Sequence, residues 1–190
     1  MRVTGGSAVR LLLRVPRNPD LRPTQDRVRE SLFGMLAPRL PGARVLDLYS
    51  GTGAFAIEAL SRGADHAVLV ESNRACLAAI GENLRHTQLS DRARVVPGDV
   101  SHYLRDSRET FDLIFADPPY QKSPAPERSH GPIFAATARH LAPDGLFILE
   151  FFAPNPPPDP TPFSLTRERR YGNTGLWLLA LPQIAPDPSA

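Results

Sequence analysis

Residues 117–120 read Asp-Pro-Pro-Tyr and follow directly on the apolar run 111–116. Those residue types in that order suit one task, holding a planar amine beside an electrophile. The Asp117 carboxylate and a backbone carbonyl can each accept a hydrogen bond from an –NH₂ group. Neither Pro118 nor Pro119 has an N–H to compete, and both restrict φ, so the carbonyls point in fixed directions. The Tyr120 ring can stack on the heterocycle that carries the amine. Taken alone, the tetrapeptide also reads as an Asp-Pro-Pro turn after a strand.

The electrophile has its own candidate site earlier in the chain. Residues 45–56 form a strand, a glycine-rich turn and the start of a helix, and Gly51 and Gly53 let the backbone approach a ligand with no Cβ in the way. Residues 51–56 satisfy the dinucleotide pattern G-x-G-x-x-G/A, with Glu71 twenty residues after Gly51 as a ribose-binding acid. A nicotinamide-dependent oxidoreductase therefore remains open on the turn alone. Three further details favour S-adenosylmethionine. Asp47 stands just before the turn, where its charge repels a pyrophosphate but can order an ammonium group. Asp99 follows the third strand, placed to accept from an adenine amino group. The Asp-Pro-Pro-Tyr tetrad then ends the fourth. The expected cofactor site is Asp47, Tyr49, Ser50, Gly51, Thr52, Gly53, Glu71, Ser72, Asp99 and Val100, and the expected catalytic set is Asp117, Pro118, Pro119 and Tyr120.

Positioning these groups requires a regular frame, and the hydrophobic pattern supplies one. Short apolar runs at 44–48, 67–70, 93–96, 111–116 and 145–151 alternate with helical stretches at 54–62, 73–85, 100–105 and 132–141. Nearly continuous apolar strands separated by amphipathic helices predict a parallel sheet covered on both faces, and right-handed crossovers make it doubly wound. Before this core, residues 1–15 alternate weakly and predict a short hairpin. A helix follows over 25–36, with Thr24 as its expected N-cap. After the core come a proline-rich surface loop at 153–162 and an antiparallel hairpin of 163–170 with 176–181. The chain of 190 residues is expected to be one domain: hairpin and helix at 1–43, core at 44–152, closing hairpin at 163–181, and a disordered tail at 182–190.

Composition narrows the classes. A hydrophobic content of 42% with 22% charged residues is that of a soluble globular chain, without the long apolar run of a membrane span. One cysteine, Cys76, excludes an internal disulfide and suits a cytoplasmic protein. The five histidines show no metal-ligand spacing, so no metal site is expected. Nothing indicates an oligomer, which leaves a monomer as the default. The net charge of +2 hides an asymmetry: residues 1–44 carry nine arginines against three acids, a balance of +6, and the rest of the chain carries −4. A basic arm on a mildly acidic body is what a polyanion-binding enzyme shows.

Residues 22–33, Arg-Pro-Thr-Gln-Asp-Arg-Val-Arg-Glu-Ser-Leu-Phe, are similar to the R-P-T-x-D-R-x-[RK]-E-x-L-F stretch of the RsmD family. The tetrad resembles that family's D-P-P-[YF], and residues 171–174, Tyr-Gly-Asn-Thr, its Y-G-[DN]-T. The likeness runs from about residue 2 to 181. One departure is visible: residues 6–10 lack the second glycine of the family's G-x-x-x-G-[RK] segment. The resemblance implies a class I, Rossmann-like methyltransferase fold: a mostly parallel seven-stranded sheet, an antiparallel C-terminal hairpin and a short basic N-terminal extension. It implies a bacterial enzyme that methylates the N2 amine of a guanine in 16S ribosomal RNA, with S-adenosylmethionine converted to S-adenosylhomocysteine. Ribosomal RNA or the small ribosomal subunit would be the partner. Arg10, Arg22, Thr24, Arg27 and Arg29 are the expected RNA contacts. The nearest rival activities keep the fold and methylate adenine N6 in nucleic acid, or a glutamine side chain.

Overall fold

The computed structural model of the chain describes residues 1–16, 24–118, 131–155 and 159–182. Seven strands form one sheet: β1 (Arg44–Leu48), β2 (His66–Glu71), β3 (Ala93–Pro97), β4 (Phe111–Ala116), β5 (Leu141–Phe152), β6 (Ser164–Tyr171) and β7 (Thr174–Ala180), in the spatial order β3-β2-β1-β4-β5-β7-β6. The first five pair in parallel, while β7 is antiparallel to both β5 and β6. This is the Rossmann-like architecture with a closing antiparallel hairpin that the apolar runs imply. The order reverses at β1, where β2 and β4 lie on either side. In open α/β sheets the ligand crevice lies at such a switch point, at the carboxyl ends of the strands.

Helices α1 (Asp26–Leu36), α2 (Ala54–Ser61) and α3 (Arg74–His86) share one core with Val45, Leu69, Leu113, Phe115, Ile148, Leu176 and Leu178. On the other face Val100, Tyr103 and Leu104 of α4 (Val100–Asp106) and Phe134 of α5 (Gly131–Ala138) pack with Leu46, Val68, Ile114, Phe147 and Trp177. Alternate residues of each strand thus feed opposite cores, as a period of two requires. Both faces are covered, which explains why the parallel strands are nearly all apolar.

Local signals set the helix starts on the cofactor side. Asn73 Oδ1 accepts from the backbone N–H groups of Ala75 and Cys76 at 2.9 and 3.2 Å, capping α3, and Asp99 does the same for α4 through Ser101 and His102. Three expectations change. The N-cap of α1 is Gln25, without a side-chain bond, because Thr24 is engaged elsewhere. The N-terminal hairpin is shorter than residues 1–15: Val3 N donates to Leu11 O and Leu13 N to Met1 O, both at 3.0 Å, around one antiparallel bridge of Arg2 with Leu12, and its loop is pinned to α2, where Ser7 N donates to Ser61 O and Ser61 Oγ to Gly5 O. The fifth strand begins at Leu141 rather than 145, because a bulge opposite residues 111–113 allows Leu141 to pair with Phe111.

Candidate active site

The β1–α2 turn is tightly specified. Tyr49, Gly51 and Gly53 have φ of 60, 57 and 76°, and a Cβ added at Gly53 would lie 3.0 Å from Leu69 Cδ2. A tyrosine in this left-handed region is uncommon and persists only when its surroundings fix it. They do: Ser50 N donates to Val70 O at 3.1 Å, Ser50 Oγ to Asp47 O at 2.6 Å, Gly53 N to Ser50 O at 2.7 Å, and Asn83 Nδ2 to Thr52 O at 3.0 Å.

Acids line the carboxyl ends of four adjacent strands. Asp47 on β1 is buried and accepts from Ala56 N at 3.2 Å; burial, and then Glu71, hold its carboxyl well above the usual range. Glu71 at the end of β2 is also buried. Its Oε2 accepts from Gly51 N at 2.8 Å and its Oε1 from Ser72 N and Asn73 N at 2.8 and 2.7 Å, so it braces the turn from beneath. Asp99 after β3 is exposed and caps α4 through Oδ1. Tyr49 faces it, and burial together with the Asp99 charge pushes the phenol up to about 12. Asp117 continues β4 and is raised well above the usual carboxylate range by burial first, then by Glu150 and Asp47.

Glu150 was not among the expected site residues. Leu149 pairs with Ala116, so Glu150 stands beside Asp117 across the β4–β5 pair. It is 4% exposed and accepts from Thr24 Oγ1 at 2.6 Å. Its signal in the sequence is a single acid inside the apolar run 146–152, one strand away from the tetrad. A charged residue in a strand buried on both faces requires a partner or a function.

The same contacts revise two expectations about RNA. Thr24 is buried against Glu150. Arg29 is fully buried, donating through Nη1 to Thr24 O at 2.8 Å and through Nη2 to Arg2 O and to Asp26 Oδ1 at 3.0 Å. Neither reaches solvent as a phosphate contact must; both tie α1 and the N-terminal segment to the end of β5. Arg10 and Arg27 are exposed, and Arg10 has a φ of 71° in the segment that lacks the second family glycine. Arg22, Pro119 and Tyr120 lie outside the described residues. Pro118 is half-buried and Val100 is buried at the start of α4.

Asp117, Glu150, Asp47 and Glu71 thus meet around one glycine turn, with Asp99 at its outer side. Such a set of acceptors repels phosphate and suits a ligand bearing positive charge, amines and hydroxyls. Glu71 keeps lone-pair capacity beyond its three backbone bonds, and Asp99 Oδ2 is free of the cap. These residues fit S-adenosylmethionine better than a dinucleotide.

Residues 1–180 match a family model described as "Conserved hypothetical protein 95". The chain is 41% identical over 122 residues to "Ribosomal RNA small subunit methyltransferase D" of Escherichia coli K12, an alignment that covers 64% of this chain and 61% of that protein. The chain thus spans less than two thirds of that relative. Among solved structures, it is similar to the E. coli protein yhhF, described as a candidate methyltransferase, with a TM-score of 0.82 at 33% identity over 95% of this chain and 97% of the other. A hypothetical protein of Thermus thermophilus matches with a TM-score of 0.79 at 33% identity, covering 95% of this chain and 99% of that one.

Proposed function

The chain belongs to the RsmD family, and from that premise we propose that it transfers a methyl group from S-adenosylmethionine to the exocyclic N2 amine of a guanine in small-subunit 16S ribosomal RNA. The observation that carries this reading is the placement of Asp117 at the end of β4, flanked by Glu150 and Asp47 and next to the strand that leads into the glycine turn. On this reading residues 1–190 act as one methyltransferase domain, a monomer in the bacterial cytoplasm, where the substrate is made and assembled.

The guanine amine is a poor nucleophile because its lone pair is delocalised into the ring. Asp117 and the Pro118 carbonyl accept its two N–H hydrogens, which localises lone-pair density on the nitrogen and stabilises the positive charge that develops there; after transfer one proton leaves the methylated nitrogen by way of Asp117 to solvent. Tyr120 stacks on the base once it has left its helix or loop. Bound S-adenosylmethionine supplies a methyl group made electrophilic by the sulfonium. Asp47 and the turn residues Tyr49, Ser50, Gly51, Thr52 and Gly53 would hold its methionine end. Glu71 with Ser72 would hold the ribose hydroxyls, and Asp99 with Val100 the adenine edge.

The test incubates the protein with tritiated S-adenosylmethionine and, separately, 16S ribosomal RNA, small subunits, DNA or protein. Label is expected in RNA, in N2-methylguanosine after digestion. Asp117→Ala should lower the rate at least ~10²-fold while calorimetric affinity for S-adenosylhomocysteine is kept, because the lost interaction belongs to the transition state. Label in adenine or in protein glutamine would replace this substrate with one of its rivals.

A further inference from the structure

The outermost strand carries arginines that no step above uses. Because β7 is antiparallel to both β5 and β6, β6 runs in the same direction as β4 and β5, and its last residues lie at the same end of the sheet as Asp117. The register places them closely. Glu150 pairs with Leu176, and Leu176 with Arg169; Ile148 pairs with Leu178, and Leu178 with Arg167. Arg169 is thus two strands from Glu150, roughly 10 Å at the usual strand spacing.

Directly opposed residues share a face of the sheet. Leu176 and Leu178 pack with Val28, Leu32 and Phe33 of α1, so Arg167 and Arg169 emerge on the α1 side. There Tyr171 Oη and Ser31 Oγ meet at 2.6 Å, joining strand to helix. Arg27, one turn before Ser31 on the same helical stripe, is exposed, as are Arg167 and Arg169. Among the described residues none of these three arginines forms an ion pair. The neighbouring acids are engaged: Glu168 with Arg170 at 2.5 Å on the other face, and Asp26 with Arg2 and Arg29. Glu30 is the remaining exposed carboxylate of α1.

We infer that the seam between α1 and β6, with Arg27, Arg167 and Arg169 along it, is a phosphate track for the single RNA strand that flanks the target nucleotide. The inference rests on the reading of RNA as substrate and adds where the strand runs. A nucleotide extruded into the site leaves neighbours whose phosphates must lie near the strand ends. Guanidinium groups at alternate positions of an extended strand recur about every 6.6 Å, a repeat suited to successive phosphates. The competing account is that arginines on an edge strand merely block sheet-to-sheet pairing between molecules.

The double variant Arg167→Gln/Arg169→Gln separates the two. Affinity for protein-free 16S ribosomal RNA is measured by filter binding between 50 and 300 mM salt, beside Arg108→Gln, whose exposed side chain lies at the opposite end of the sheet. The double variant should bind about tenfold more weakly near 0.15 M salt, with a salt slope shallower by about 1.4, at ~0.7 per lost phosphate contact. The Arg108 variant should match the wild type, Arg167→Lys/Arg169→Lys should recover most of the affinity, and binding of S-adenosylhomocysteine should not change. An unchanged slope in the glutamine variant overturns the track, whether or not that variant self-associates. If the wild type labels 16S RNA and the slope is unchanged, only the track falls. If the wild type labels neither 16S ribosomal RNA nor small subunits, the substrate reading falls with it.

Discussion

Glu150 shows how one residue sets the character of the site. Its carboxyl is pushed up to about 7 by burial, against the opposing effects of the Thr24 hydrogen bond and the Arg29 charge. The unfolded chain holds it near 4.5, so the folded state binds the proton more tightly. An acid raised in this way supports folding fully below its unfolded pKa, and that support is lost as pH rises from about 4.5 through 7. Glu150→Gln removes the charge while its amide oxygen still accepts from Thr24. At pH 4.5 the variant should be no more stable than wild type, and at pH 8 it should gain on the order of 3 kcal/mol at about 1.4 kcal/mol per pKa unit. Urea unfolding at the two pH values reads the difference; equal stability at pH 8 would refute a buried, ionised Glu150. Asp117 follows the same direction with a different readout. It must be ionised to stabilise the positive charge that develops on the amine, and burial, Glu150 and Asp47 all raise it, so the methylation rate at saturating substrate should fall as pH is lowered through its raised pKa. A rate that does not fall as pH is lowered, in a protein that stays folded, would count against ionised Asp117 as the acceptor.

At the scale of elements, α1 holds the acceptor side of the site in place. Phe33 stacks on Phe115 at 5.6 Å between centroids and Phe55 on Phe115 at 5.2 Å, which clamps α1 and α2 over β4 two residues before Asp117. Arg29 completes the clamp by joining Thr24 and Arg2 through their carbonyls, although its own Nε lies buried without a partner. Arg29→Met leaves two carbonyls and Asp26 short of a donor, and should cost roughly 3 kcal/mol in urea unfolding. A loss below about 0.5 kcal/mol would mark the side chain as an ordinary surface arginine. This is where the sequence stopped being legible. Continuous apolar runs reported the five parallel strands, and the glycine pair reported the turn, because those signals are local. The roles of Thr24, Arg29 and Glu150 are not local: Thr24 and Glu150 are 126 residues apart. A threonine before a helix looks like a cap, and an arginine on an amphipathic helix looks solvated, until a buried acid from a distant strand is brought against them. The longer β5 escaped for a similar reason, since its first residues pair only through a bulge.

Across the whole molecule, charge is sorted by place. Acids crowd the carboxyl ends of β1, β2, β4 and β5, while the N-terminal 44 residues carry an excess of +6 and β6 adds three arginines. The carboxyl end of the sheet therefore carries a cluster of acids near its middle, and the edge strand beside it exposed arginines. Opposite charges so close together would attract each other if the groups were mobile. The backbone bonds that fix Asp47 and Glu71, and the strand pairing that fixes the backbone of Arg167 and Arg169, keep the two sets of charges apart. On the proposed reading, the sign of the acid cluster also discriminates between cofactors that share a glycine turn. A dinucleotide brings a doubly charged pyrophosphate against Asp47, whereas an adenosyl amino acid brings an ammonium group there. S-adenosylhomocysteine at a hundredfold excess over its Kd should therefore stabilise the fold by about 2.7 kcal/mol. For a chain of this size that raises Tm by roughly 5–10 °C. NAD at the same concentration should leave Tm within error of the free protein. The reverse pattern, a rise with NAD and none with S-adenosylhomocysteine, would mean that the acids around the turn do not govern which ligand it accepts.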